Sequence, residues 1–269
     1  MATTGFQGAI FDVDGVLVDS PHERAWREAL RGLMEGEWAS IRERTAWSPE
    51  AFTSQVYQQV ISGRPRMSGA LGCLEYFKVP DAEERAKVYA DRKQRMIVEF
   101  IEAGEFTAFP DAVRFVLAVR AAGIPMASAS SSKNADRFLK RIRVDTFAEK
   151  EGLGYDFVRP GMSLYDFFTA DLSGRDLAHG KPHPEIFLTA AAELGMPPEH
   201  CFVVEDAVSG VQAAKAGGMA ALGVARADDR DLLAAAHVDL VVTSLDEVDV
   251  GALAAHRLTR LIRRGSWRG

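Results

Sequence analysis

Two aspartates one residue apart, Asp12 and Asp14, follow the apolar run Ala9-Ile10-Phe11 and precede Gly15. Side chains alternate along an extended segment, so Val13 points away and the two carboxylates face one small volume. Carboxylates held that close repel each other unless a cation or a proton lies between them. The stretch reads as half of a magnesium site with a nucleophile in it, and the other half must come from downstream. Ser130 closes the apolar residues 124–129, Glu205-Asp206 follow Cys201-Phe202-Val203-Val204, and Lys181 sits in the stiff turn Gly180-Lys181-Pro182-His183-Pro184. The set is two acid pairs, one hydroxyl and one lysine.

Each group alone has a plainer reading. Asp-x-Asp-Gly also opens calcium loops, but such a loop needs an oxygen ligand where Val16 stands and glycine where Leu17 stands. A lone Ser130 would cap a helix, a lone Lys181 would be solvated, and Glu205-Asp206 would suit any helix N-terminus. Their common placement after apolar segments is what sets them apart.

For these residues to meet, the segments before them must be neighbouring strands. Ser20-Pro21-His22-Glu23 reads as a helix start with Ser20 as N-cap, followed by Ala25, Trp26, Ala29, Leu30, Leu33 and Met34 on one face. Ser48-Pro49 opens a second helix with Phe52, Val56 and Val60. Asp81-Ala82-Glu83-Glu84 opens a long one through Val88, Met96 and Phe100 to Glu102. Residues 20–106 therefore read as helices without a strand, inserted after the first strand. From Phe109-Pro110-Asp111 the pattern alternates: helix 110–123, strand 124–129, a helix carrying Phe138 and Leu139, helix 184–194, strand 201–204, helix 207–216, and strands 220–224 and 239–242. Such alternation implies a parallel sheet with helices on both faces and chemistry at the carboxyl ends of the strands.

Bulk properties bound the possibilities. A length of 269 residues with 47% hydrophobic content suits one large core plus an inserted unit. The formal net charge of -6 argues against a nucleic-acid partner and leaves an anionic small molecule possible. Cys73 and Cys201 lie far apart, which fits a reducing compartment and excludes a disulfide framework. No stretch approaches the ~18 unbroken apolar residues of a membrane span, and Met1-Ala2-Thr3-Thr4-Gly5 lacks the features of a leader. The expectation is a soluble, cytoplasmic protein with no membrane partner. No Gly-x-x-x-x-Gly-Lys loop occurs, and Gly152-Leu153-Gly154 does not complete a dinucleotide fingerprint.

Asp12-Val13-Asp14-Gly15, Ser130, Lys181 and Glu205-Asp206, in that order, resemble the four motifs of the haloacid dehalogenase-like (HAD) superfamily. The runs Ser130-Ser131-Ser132-Lys133-Asn134, Gly180-Lys181-Pro182-His183-Pro184-Glu185-Ile186-Phe187 and Glu205-Asp206-Ala207-Val208-Ser209-Gly210-Val211 are most similar to its β-phosphoglucomutase branch. The resemblance implies an α/β fold: a Rossmann-like parallel-sheet core from residues 1–18 and 108–269 and an inserted α-helical, four-helix-bundle cap from residues 19–107; it covers nearly the whole chain apart from residues 144–163, which read as an unusual loop insertion in the core. It also implies that Asp12 is a nucleophile forming an aspartyl-phosphate, that Asp14 is an acid/base, and that Lys181 is a point charge beside them. Mg2+ would be held by Asp12, the main-chain carbonyl of Asp14 and Asp206, with Glu205 a ligand or one step out. Ser130, Ser131, Lys133 and Asn134 are expected at the phosphate or substrate. His22 resembles a hinge histidine, although a surface histidine fits its position equally well. Arg64 and Arg66, in a glycine-proline loop, are expected to grip a second phosphate with help from Lys93; the plain alternative is a solvated basic loop. The expected substrate is a small phosphorylated metabolite, best a sugar phosphate isomerised through a bisphosphate; the alternative is hydrolysis of small phosphomonoesters. A monomer or weak homodimer is expected.

Overall fold

The computed structural model describes residues 5–226 and 229–261; the residues 1–4 read for a leader lie outside them. Strand β1 (Gly8–Phe11) is buried along its whole length, and its side chains divide between two apolar cores. Ala9 and Phe11 join Phe202, Val204 and Leu222 on one side, while Ile10 joins Ala127, Val203 and Ala221 on the other. A strand with no wet face must be covered on both sides, which the flanking helices do.

The chain leaves the core through β2 (Val18–Asp19) and builds a helical layer: α1 (His22–Glu35), α2 (Ser54–Val60), α3 (Arg66–Tyr76) and α4 (Ala82–Glu102). It returns through β3 (Thr107–Ala108), which pairs antiparallel with β2. This short ribbon was not anticipated, because two residues carry no readable period. The helices close over their own core of Trp26, Leu30, Leu33, Phe77 and Tyr89. Tyr89 is fully buried, and its hydroxyl donates to the Trp26 carbonyl at 2.9 Å, as a buried phenol requires.

The remainder alternates: α5 (Pro110–Ala121), β4 (Met126–Ser128), α6 (Ala135–Arg141), α7 (Val144–Glu151), β5 (Ala170–Asp171), α8 (Glu185–Leu194), β6 (Cys201–Glu205), α9 (Val208–Ala216), β7 (Ala220–Val224), α10 (Arg230–Ala235), β8 (Leu240–Val242) and α11 (Val250–Leu253). The six core strands are parallel in the order β5-β4-β1-β6-β7-β8. After β1 the chain fills one side of the sheet, then crosses and fills the other. The carboxyl end of β1 is therefore a topological switch point, where ligands bind in open α/β sheets.

Several local expectations fail for identifiable reasons. Ser20 does not cap α1; Pro21 holds the cap position without a side-chain bond, and Ser20 turns to Asp14. The second helix begins at Ser54 with Thr53 as its cap, whose hydroxyl accepts the Val56 amide at 3.2 Å, while Ser48 only closes a turn. Asp81 precedes α4 in left-handed backbone and makes no side-chain cap. Val88 is exposed, and α4 instead buries Ala86, Tyr89, Ala90, Lys93 and Ile97, because polar Lys93 belongs to the inner face. Residues 144–163, expected as a loop, begin as α7. Gly152 ends that helix, and Leu153, Tyr155, Phe157 and Val158 pack the following turns onto the core. Among the described residues, no helix is long and apolar enough to cross a membrane.

Candidate active site

The carboxyl end of β1 places Asp12 beside the ends of β4 and β6. Lys181, buried to 3% exposure, donates to Asp12 Oδ1 at 2.6 Å, Glu205 Oε1 at 2.5 Å and the Ala129 carbonyl at 3.3 Å. These three acceptors use all three ammonium protons. Glu205 Oε2 in turn accepts the amides of Asp206 and Ala207 at 3.0 and 3.1 Å, just before α9 begins. Asp12, Glu205 and Asp206 offer carboxylate oxygens within 4.8 Å of one another, all from buried residues.

This cradle holds more negative charge than one lysine neutralises. Burial drives the Asp12 carboxyl up to about 8; Lys181 draws it back, and Glu205 and Asp14 push it upward again. Burial, then Glu205 and Asp12, lift Asp206 well above the ordinary carboxylate range. Burial opposes the charge on Lys181, but the two facing carboxylates outweigh it and hold Lys181 above the ordinary lysine value. Gly15 is required by packing: its φ is +83°, and a Cβ there would lie 2.0 Å from Asp206 Oδ2.

Asp14 lines the same cleft. Ser130 Oγ donates to its Oδ2 at 3.2 Å, and His22 Nε2 lies 3.2 Å from Oδ1. Although burial raises Asp14, His22 and Ser20 outweigh it and hold the carboxyl below its usual value. Lys93 Nζ lies 3.0 Å from His22 Nδ1. A lysine can only donate to that nitrogen while charged, which assigns the ring proton to Nε2, facing Asp14 and the Ser132 hydroxyl at 3.2 Å. Burial, with Arg66 adding to it and Asp14 opposing, brings Lys93 down to about 7.

That depression predicts a trade between stability and function. Between about 7 and 10.5 the unfolded chain holds the Lys93 proton that the folded chain gives up, so burial of Lys93 costs stability there. Lys93→Met is expected to raise folding stability at pH 7 by about 2 kcal/mol, after allowing for the His22 nitrogen left without a partner. The gain should shrink as pH rises towards 10.5, the value of the free lysine. Urea unfolding at a series of pH values checks both statements, and a variant less stable than wild type at pH 7 would refute them.

The helical layer is seated against the core. Ser131 Oγ donates to the Gly63 carbonyl at 3.2 Å, and Ser209 Oγ donates to the Ser62 carbonyl at 3.3 Å. Gly63 has φ +72°, and a Cβ there would stand 2.5 Å from Ser209 Oγ. Gln94 and Asn134 exchange amide hydrogen bonds of 3.2 and 3.3 Å across the same seam. A cleft of 640 Å³ remains, with the carboxylates at its floor and Arg64, Arg66 and Lys93 on the helical side.

All sequence-selected residues except Glu205 line this cleft. Their engagements differ from the expectation in three places. The Ser131 hydroxyl and the Asn134 side chain are used at the seam, and Lys133 is exposed and paired with Asp176 at 2.9 Å. Arg64 donates to the Gln59 carbonyl at 3.4 Å. Residues 144–163 do not contribute to the cleft. Sequence reasoning missed Tyr57, Gln94 and Arg226 in the lining. Tyr57 and Gln94 were passed over as ordinary helix residues, and Arg226 stands alone after a strand with no motif around it.

The profile of the haloacid dehalogenase-like hydrolases matches residues 6–218. The chain belongs to that family. It is 30% identical over 258 residues to the β-phosphoglucomutase of Mycobacterium tuberculosis, covering 90% of this chain and 91% of that one. It is also 30% identical over 247 residues to hexitol phosphatase A of Escherichia coli, covering 91% and 94%. The archaeal β-phosphoglucomutase from Pyrococcus sp. strain ST 04 superposes with a TM-score of 0.63 at 30% identity, covering 91% of this chain and 96% of that one. Relatives of this HAD chain thus include both phosphomutases and sugar phosphatases.

Proposed function

We propose that this HAD chain transfers a phosphoryl group on a small phosphorylated sugar through an aspartyl-phosphate on Asp12, as a β-phosphoglucomutase-like mutase. The observation that carries the reading is the Asp12-Lys181-Glu205 arrangement with Asp14 in the same cleft: a carboxylate held by one ammonium, and a second carboxyl within reach of a histidine. The all-oxygen, buried donor set fits a hard divalent cation. Asp12 and Asp206, with the Asp14 carbonyl, would hold Mg2+. Glu205, both of whose oxygens serve Lys181 and two amides, suits the outer position. The ion, when bound, offsets the charge that otherwise keeps a carboxylate from a phosphate.

Starting from the aspartyl-phosphate, Asp14, a carboxylate at rest, takes the proton of the incoming hydroxyl, which forms the new bond to phosphorus as the Asp12 bond breaks. Asp12 then attacks the other phosphorus of the bisphosphate, the bond to the leaving oxygen breaks, and Asp14 returns that proton to it. His22 Nε2 supports Asp14 in both directions. Lys181 stays charged beside the nucleophile, and Ser130 orders the phosphate side. Residues 19–107 move as a cap that excludes water when Ser131, Ser209 and Asn134 are engaged. Arg64, Arg66 and Lys93 supply positive charge for a second phosphate, which favours the mutase. Hydrolysis remains the second reading, on the strength of the phosphatase relative.

Phosphorus NMR with Mg2+ and β-glucose 1-phosphate, with and without a trace of the bisphosphate, separates the two. Glucose 6-phosphate is the expected product. Inorganic phosphate alone would overturn the mutase and leave the phosphatase.

A further inference from the structure

Arg226 lies just beyond β7, and its side chain, 15% exposed, reaches two separate segments. Nε donates to the Gly15 carbonyl at 3.4 Å, Nη2 to the Val16 carbonyl at 3.1 Å, and Nη1 to Asp111 Oδ2 at 2.8 Å. The guanidinium lies 4.0 Å from the centroid of the Phe109 ring. Asp111 is buried and also accepts the Leu245 amide at 2.7 Å, so the arginine's partner is itself anchored to the segment that follows β8.

Gly15 and Val16 connect Asp14 to the outgoing linker β2, whereas Phe109 and Asp111 follow the returning linker β3. The Phe109 amide donates to the Leu17 carbonyl at 3.0 Å, which ties the two linkers directly. Gly15 also presses on Asp206. One planar fork therefore grips the loop behind the candidate acid/base and the roots of both linkers. A lysine offers a compact charge without that fork or the flat face that stacks on Phe109.

We propose that Arg226 is a positioning residue that locks the Asp14 loop and the two cap linkers onto the carboxyl end of the sheet. The inference rests on the proposed role of Asp14. It acts through geometry, because a misplacement of ~1 Å at a reacting group costs on the order of 10²-fold.

The test compares Arg226→Lys and Arg226→Ala with wild type on β-glucose 1-phosphate with Mg2+ and a trace of the bisphosphate, alongside hydrogen exchange read by mass spectrometry. Arg226→Lys is expected to lower kcat by roughly 30- to 100-fold with KM within about threefold. Amide exchange should quicken at residues 15–18 and 107–109 and stay at the wild-type rate in the rest of the sheet. Guanidinium ion added to Arg226→Ala should restore at least about tenfold of the lost kcat. Wild-type kcat and exchange in Arg226→Lys would overturn the proposal, as would faster exchange throughout the sheet or a rise in KM alone. If wild type itself turns over no phosphomonoester, the proposed function fails, and the exchange pattern alone then decides whether Arg226 locks the linkers.

Discussion

Asp12→Asn is expected to lower kcat by on the order of 10⁴-fold or more while the protein stays folded, the scale seen when a nucleophile is removed from groups that act as a unit. The amide has nearly the shape of the carboxylate but is a far poorer nucleophile. Stability should not fall, because the replaced carboxyl is one that burial drives up to about 8 against its ordinary 3.8. Lys181 keeps Glu205 at 2.5 Å and the Ala129 carbonyl at 3.3 Å. Initial rates, thermal unfolding, and mass spectrometry for a phosphoryl adduct together check the claim. Turnover at the wild-type rate would identify a different nucleophile.

Lys181→Met should be costly in both respects. The ammonium has no exposed surface and is the direct partner of two buried carboxylates. Removing one member of a buried ion pair typically costs about 3–5 kcal/mol, because the other is left uncompensated. Loss of activity should accompany it, since Asp12 would lose the charge that steers it towards phosphate. The defect carries a pH signature. With Lys181 gone, the folded state binds the proton on Asp12 more tightly still than the unfolded chain does. The variant's stability deficit should therefore stay level up to about 8 and widen as pH rises above it, where wild-type Asp12 is ionised and the variant's is still protonated. Adding Glu205→Gln should recover part of the stability and none of the activity, and a double-mutant cycle in denaturant measures the coupling. Equal stability of wild type and Lys181→Met at neutral pH would show that the buried network is not held together by this lysine.

Much of this architecture is legible in the sequence, because buried parallel strands carry continuous apolar runs and chemistry gathers at their ends. Cys201-Phe202-Val203-Val204 followed by Glu205-Asp206 announces both strand and site. What escapes is set by tertiary context. Ala170–Asp171 is too short for any period, and only its register with Ala127 and Ser128 makes it a strand. Ser20 has the right identity for a helix cap, yet a buried carboxyl competes for its hydroxyl and wins. Lys93 is legible as a candidate because it lies one turn beyond Tyr89 on the buried face of α4, but its pairing with His22 is set by tertiary context. Val144–Glu151 was missed for the opposite reason: the glycines that follow it suggested a loop, whereas Gly152 merely ends the helix.

The seam at Gly63 has one further consequence. The core serines meet this loop only at main-chain carbonyls, those of Ser62 and Gly63. Every peptide carries a carbonyl, so this contact does not distinguish one enclosed molecule from another. Closing the layer and choosing the molecule enclosed are thus separable properties. The residues to vary when changing selectivity are Tyr57 and Met67 along the cleft wall, with the seam left as it is.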